Sequence, residues 1–185
     1  MSKTETTDYF RDLYELDADR SLSLAEKIEH TVALGRERLD VQRGLLTFTG
    51  RGEYEVIEST ITDGAYESGT VHDLETTYCR HVVGDEEVLA ISDVEDSAYS
   101  DDIAADTTET QCYIGAPLTV DRETFGTLCY SGNSARERAF TEDESRFVEL
   151  LARRMSRELE REKHYATLES QNERLNEYAE LLAHD

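Results

Sequence analysis

Three groups of side chains in this 185-residue chain have the types and spacing for chemistry. Cys79 stands between Tyr78 and Arg80, with His81 next. A guanidinium beside a thiol favours the thiolate, which is the form that reacts with oxidants. The same cysteine with His81 is half of a metal site whose remaining ligands are missing from the neighbouring sequence. Cys112 and Cys129 make the cysteine count three, at gaps of 33 and 17 residues. With no CxxC, neither a zinc knuckle nor a disulfide framework is indicated. Cys79 and Cys129 read equally well as small buried hydrophobes. The third group is His184 followed by Asp185. An exposed neutral imidazole beside a carboxylate is able to act as a nucleophile or take up a phosphoryl group, although a lone solvent-facing histidine is ordinarily just a surface residue.

The elements that must position these groups follow from hydrophobic period. Residues 1–20 are a polar lead-in with a weak helical stripe. Leu24, Ile28, Val32 and Leu39 punctuate a charged helix, with Ser23 and Glu26 at capping-box spacing and Gly44 as its expected end. Leu45–Thr49 and Tyr54–Glu58 form a hairpin through Gly50, Arg51 and Gly52. Residues 61–71 form a loop, Leu74 to Val83 a short helix stopped by Gly84, and Val88–Ile91 a brief strand. The acidic stretch 92–111 reads as a loop with one amphipathic turn around Tyr99 and Ile103. Cys112–Val120 and Thr124–Tyr130 are strong strands joined by Asp121, Arg122 and Glu123. Pro117, the one proline, suits an edge or a bulge better than a central ladder position. From Thr141, with Glu144 at capping-box spacing, the pattern is helical to the end, and Phe147, Leu150, Leu151, Met155 and Leu159 form an apolar face. This order implies an α+β fold around an antiparallel sheet.

In the last helix, Leu168, Asn172, Leu175, Ala179 and Leu182 follow 4-3-4-3 spacing. That is a coiled-coil seam, and asparagine at an a position favours two strands in fixed register. Extending the frame backward puts Tyr165 at a but Arg161 at d and Glu158 at a, so the phase slips near 160–165. His184 falls at f, facing away from the seam. The organisation read from this is a lead-in (1–20), a globular body (21–161) and a dimerising helix (162–185). An amphipathic helix folded back on its own body is the competing arrangement.

Composition narrows the partners. There are 42 Asp and Glu against 19 Lys and Arg, a formal net charge of −23, and only Lys3, Lys27 and Lys163 are lysines. Such a charge repels nucleic-acid phosphate and anionic lipid. Acidity with little lysine fits a cytoplasmic protein of a high-salt cell, where screening removes self-repulsion and carboxylates hold water at the surface. No apolar run is long enough for membrane insertion, and the N-terminus lacks the apolar stretch of a signal peptide.

Several stretches carry a resemblance. Leu-Glu-Thr-Thr-Tyr-Cys-Arg (74–80), Cys-Tyr-Ile-Gly-Ala-Pro-Leu (112–118), Phe-Gly-Thr-Leu-Cys-Tyr (125–130) and Phe-Thr-Glu-Asp-Glu (140–144) make the region from about Leu24 to Arg161 similar to GAF domains. It most resembles those of signal-transducing histidine kinases of halophilic archaea. Residues 172–185 resemble the first dimerisation helix of such kinases, up to the His-Asp that opens their phosphoacceptor box.

The resemblance implies a GAF-like, PAS-like fold with a long C-terminal coiled-coil helix. It also implies a cavity walled by 61–83 and 93–113. Tyr78, Cys79, Arg80, Asp93, Tyr99 and Tyr113 are its first ligand-binding candidates, and His184 is the phosphoacceptor. The implied function is a sensor of a small-molecule or redox cue in a homodimer paired through 165–185. A kinase catalytic domain and a response regulator are its partners in the full system. No cofactor or metal is expected, and the chain alone is not expected to be an enzyme.

Departures matter too. Asn133 is followed by Ser134 rather than lysine, against cyclic-nucleotide binding, and residues 100–110 hold no cysteine for a bilin. The two or three closely spaced cysteines of the methionine-sulfoxide reductases of this fold are not reproduced. A small redox enzyme and a ligand-free dimerisation module remain the alternatives.

Overall fold

The computed structural model describes residues 21–183 apart from Arg51 and Asp63, together with Arg11, Tyr14, Glu15 and Asp19; for 176–183 it describes the backbone alone. Helix α1 spans Leu24–Leu39, strands β1 Arg43–Gly50 and β2 Glu53–Ser59, and strand β3 Val71–Asp73. A 3-10 turn at Leu74–Thr76 leads into α2, Cys79–Asp85. Then come β4 (Leu89–Ile91), α3 (Ile103–Thr107), β5 (Cys112–Val120), β6 (Glu123–Gly132) and α4 (Glu142–Ala183). The six strands form one sheet in the order β3-β2-β1-β6-β5-β4, and every neighbouring pair runs antiparallel. The fold is the expected α+β arrangement.

Alternation along the central strands sorts side chains onto two faces. Leu46, Ile114, Leu128 and Tyr130 turn toward α1 and α4, where they meet Val32, Leu39, Val148, Leu151 and Met155. Leu45, Tyr113 and Cys129, one residue out of step, turn the other way, toward Cys79, Val82, Tyr78 and Ala104 from the short helices. The sheet therefore has a helix-packed face and a face covered by loops and single helical turns, where the candidate site lies.

Both expected capping boxes are present. Ser23 Oγ accepts from the Glu26 amide while Glu26 accepts from the Ser23 amide, and Thr141 and Glu144 repeat the exchange. Helix α1 does not run to Gly44. It ends at Leu39, because Asp40 takes a left-handed conformation (φ 51°) and returns its N–H to the carbonyls of Arg36 and Glu37, a conformation aspartate tolerates. Gly44 lies instead inside β1, where a Cβ would stand 2.8 Å from the Val32 carbonyl oxygen of α1. Its lack of a side chain lets helix and strand approach. Gly84 likewise does not stop α2, which Glu86 closes with φ 56°.

Pro117 is tolerated because β4 pairs only with Tyr113, Ile114 and Gly115, leaving the outer edge of β5 open at 117, beside an irregularity at Leu118/Thr119.

Helix α4 is about 63 Å long at 1.5 Å per residue. Its first half packs on the sheet; from Arg161 to Leu175 every residue is exposed. The change of environment falls where the heptad phase slips. Polar contacts from three places in the fold tether the last part of α4 up to that point. Ser156 Oγ accepts the Thr119 amide at 3.0 Å. Lys27 Nζ, buried on α1, lies 3.1 Å from Glu158. The β5–β6 turn grips the helix with Asp121, whose carboxylate takes Lys163 at 2.5 Å and His164 at 3.0 Å while its amide donates to Glu160.

Candidate functional site

On the loop-covered face, α2 begins with Cys79 over the middle of β6. The Cys79 and Cys129 sulfurs are 3.9 Å apart, both residues 2% exposed and neither in a disulfide. Around Cys79 Sγ stand the Tyr113 hydroxyl from β5 and the Thr127 hydroxyl from β6, each at 3.3 Å. Thr127 is held by a reciprocal set of bonds with Thr47 of β1, whose Oγ1 accepts its amide at 3.2 Å and lies 2.8 Å from its hydroxyl. Three adjacent strands and one helix thus converge on one sulfur.

The electrostatics differ for the two thiols. Burial pushes Cys79 up, but hydrogen bonds from Cys129, Thr127 and Tyr113 outweigh it and bring the thiol down to about 7. Cys129 goes the opposite way, well above the usual thiol range, because of its hydrogen bond with Cys79 and its burial. The reason anticipated for a reactive Cys79 was Arg80, and the geometry corrects it. Arg80 turns away and places Nη2 2.6 Å from Asp102 Oδ2, with Glu75 at 3.6 Å on its other side. Hydrogen bonds with a thiol and two hydroxyls lower Cys79, not a cation.

Beside the thiols lies a second, polar cluster. Asp102 caps α3 through the Ala104 amide, and its other oxygen takes both Arg80 and His81, the latter at 2.7 Å. Burial raises this carboxyl, yet the Ala104 amide, His81 and Arg80 together hold it below the ordinary carboxylate range. His81 meets the Tyr99 ring edge-to-face at 5.0 Å. Tyr78 bridges the two clusters, its ring 5.5 Å from Tyr113 and 6.4 Å from Tyr99. The Tyr78 hydroxyl is buried without a hydrogen-bond partner among the described residues, and burial and the Asp102 charge push it up to about 12.

Of the six pocket candidates, Tyr78, Cys79, Arg80, Tyr99 and Tyr113 are therefore brought together. Asp93 is not: its carboxylate accepts from the Glu95 and Asp96 amides and shapes its own loop. His184 lies outside the described residues. Cys112 faces away from the pair, its thiol raised by burial. Among the described residues no group of three or more His, Cys, Asp or Glu is arranged to hold a metal.

Sequence reasoning missed Thr127 and Asp102. The alternation Thr127, Cys129, Ser131 on β6 carried the signal for a row of small polar groups on one face. Asp102 gave none, sitting among six other acidic residues of 93–109. A further cation was missed: buried Arg43 reaches Ser131 Oγ and Thr110 Oγ1, both at 3.1 Å, and stacks on Tyr66 at 5.1 Å. Its hydrogen-bond partners among the described residues are hydroxyls, whereas Arg80 already has its carboxylates.

No curated protein matches the chain. Among solved structures, it resembles the GAF domain of an Acinetobacter phosphoenolpyruvate-protein phosphotransferase, at 15% identity and TM-score 0.69, covering 90% of this chain and 99% of that one. The equivalent domain from Coxiella burnetii is 16% identical with TM-score 0.67, over 86% of this chain and 94% of that one. A phycocyanobilin-bound GAF domain from a cyanobacterial phytochrome is 18% identical with TM-score 0.64, over 87% and 96%. At these identities the likeness is one of fold. The GAF domain profile, however, matches residues 23–159, the sheet, its short helices and the packed half of α4. By that match over most of its length, with the helices and six-stranded sheet just described, the chain belongs to the GAF domain family.

Proposed function

We propose that this GAF domain is the sensory module of a two-component histidine kinase, which detects a small-molecule or redox cue and relays it through a homodimeric C-terminal helix to His184 as phosphoacceptor. One observation carries the reading. In the exposed stretch of α4, the large apolar residues Tyr165, Leu168 and Leu175 are 59%, 56% and 64% exposed. They recur at intervals of three and seven, with Asn172 between them at the a position. A stripe of that period, left bare by its own domain, is what a second parallel copy covers. The reading makes the chain non-catalytic by itself: an ATP-binding domain and a response regulator belong to the full system.

The test has two parts. Leu175→Asp is expected to convert a dimer into a monomer by light scattering in molar KCl; an unchanged mass rejects the stalk. With a kinase catalytic half appended, phosphate from labelled ATP is expected on His184 and absent from His184→Ala. Equal labelling of that variant removes the phosphoacceptor assignment.

A second reading, a small redox enzyme, gains from the 3.9 Å approach of Cys79 and Cys129, which the sequence separation of these residues conceals. Turnover of free methionine sulfoxide by this chain, lost in Cys79→Ser, would replace the sensory reading.

A further inference from the structure

Three observations converge on the thiol pair. The two sulfurs face each other at 3.9 Å from different elements, one on the first residue of α2 and one in the centre of the sheet. Bond formation requires about 2.05 Å, so closure asks for a movement of about 1.9 Å. Second, the partners of Cys79 are the hydroxyls of Tyr113 and Thr127. Both lie on β5 and β6, the strands whose connecting turn holds α4 through Asp121. Third, the two elements differ in freedom to move: β6 is paired on both sides by β1 and β5, while α2 is seven residues long and anchored by side-chain contacts.

We infer that Cys79 and Cys129 form a reversible dithiol–disulfide pair, oxidised by hydroperoxide, and that this bond is the state change the module transmits. The inference deepens the proposed function by naming its cue, and rests on it for the consequence at α4 but not for the thiol chemistry.

The Cys79 thiolate attacks one peroxide oxygen, the O–O bond breaks, and the departing hydroxide takes a proton to leave as water, giving a sulfenic acid. Cys129 then attacks the Cys79 sulfur. The S–S bond forms, the S–O bond breaks, and a second water carries off the remaining proton. Two electrons pass from the sulfurs to the peroxide. Cys79 is the attacking sulfur because the Tyr113 and Thr127 hydroxyls stand 3.3 Å from it and stabilise a negative charge there, and Cys129 resolves the intermediate because its sulfur already stands 3.9 Å away. Burial restricts the oxidant to small molecules. Closure draws α2 onto the sheet and displaces the Tyr113 and Thr127 hydroxyls from Cys79, which reaches α4 through the β5–β6 turn.

The test uses the full chain, reduced and then treated with stoichiometric hydrogen peroxide. Peptide mapping is expected to give a Cys79–Cys129 linked pair that a phosphine reductant cleaves, while Cys112→Ser forms the same link. Recovery of both thiols unlinked after peroxide, a stable sulfinic acid on Cys79, or a link to Cys112 overturns the assignment. Because wild-type protein carries the decisive measurement, a poorly folding cysteine variant does not obscure it. Amide exchange at 158–166 is expected to differ between the reduced and oxidised forms; identical exchange in a confirmed disulfide form overturns the transmission step alone. Light scattering on Leu175→Asp reports the stalk separately, and the link is expected to form in that variant too.

Discussion

Asp102 holds three donors at once, and protonation would leave Arg80 and His81 without their shared acceptor. Its carboxyl is depressed in the folded chain and ordinary in the unfolded one, so the unfolded state takes up the proton first as pH falls. The stabilisation from this residue is complete above the usual carboxylate value of 3.8 and disappears as pH drops through the lower folded value. Asp102→Asn is expected to lower stability near neutrality and to make its fall on acidification shallower, the remainder coming from other depressed carboxylates such as Asp121; urea titrations from pH 2 to 7 measure it. The clamp was illegible from sequence because it depends on which of many carboxylates meets Arg80 and His81 from α2. The thiol pair was half legible. Cys79 stood out for its neighbours, but the neighbour that mattered, Cys129, is 50 residues away and was brought there by the antiparallel return of β6.

The β5–β6 turn places Asp121 and Arg122 both in the left-handed region, at φ 54° and 68°, the signature of a tight two-residue hairpin connection. That geometry aims the Asp121 carboxylate at Lys163 and His164, which lower its pKa by hydrogen bonding. Asp121→Asn keeps the backbone preference and removes the charge. The expected result is faster amide exchange over 158–166 with little change in melting temperature, since exposed ion pairs contribute little to global stability. Hairpins, the long helix and both capping boxes were readable because each rests on local spacing. The end of α1, the split of 74–85 into a 3-10 turn and α2, and the true place of Gly44 were not. They depend on a left-handed aspartate and on helix–sheet distance, which local pattern does not encode.

For the chain as a whole, the net charge of −23 dominates behaviour in dilute buffer. The screening length falls from about 10 Å at 0.1 M salt to about 3 Å at 1 M. Melting temperature followed by circular dichroism is therefore expected to rise steeply between 0.1 and 2 M KCl. A flat or falling curve would remove the high-salt reading. If the proposed stalk pairs, two acidic helices need the same screening, so the dimer fraction by light scattering is expected to rise in the same range. No helix among the described residues is long and apolar enough to cross a membrane.

The outermost strands, β3 and β4, are three residues each. Strand β4 leaves the outer edge of β5 uncovered beyond Gly115, and there Pro117 has no N–H to donate and the Thr119 amide is taken by Ser156, so this open edge is a poor template for another chain to zip onto. In concentrated brine, where charge no longer keeps molecules apart, those two residues of β5 are what guards the sheet against growing by a further strand.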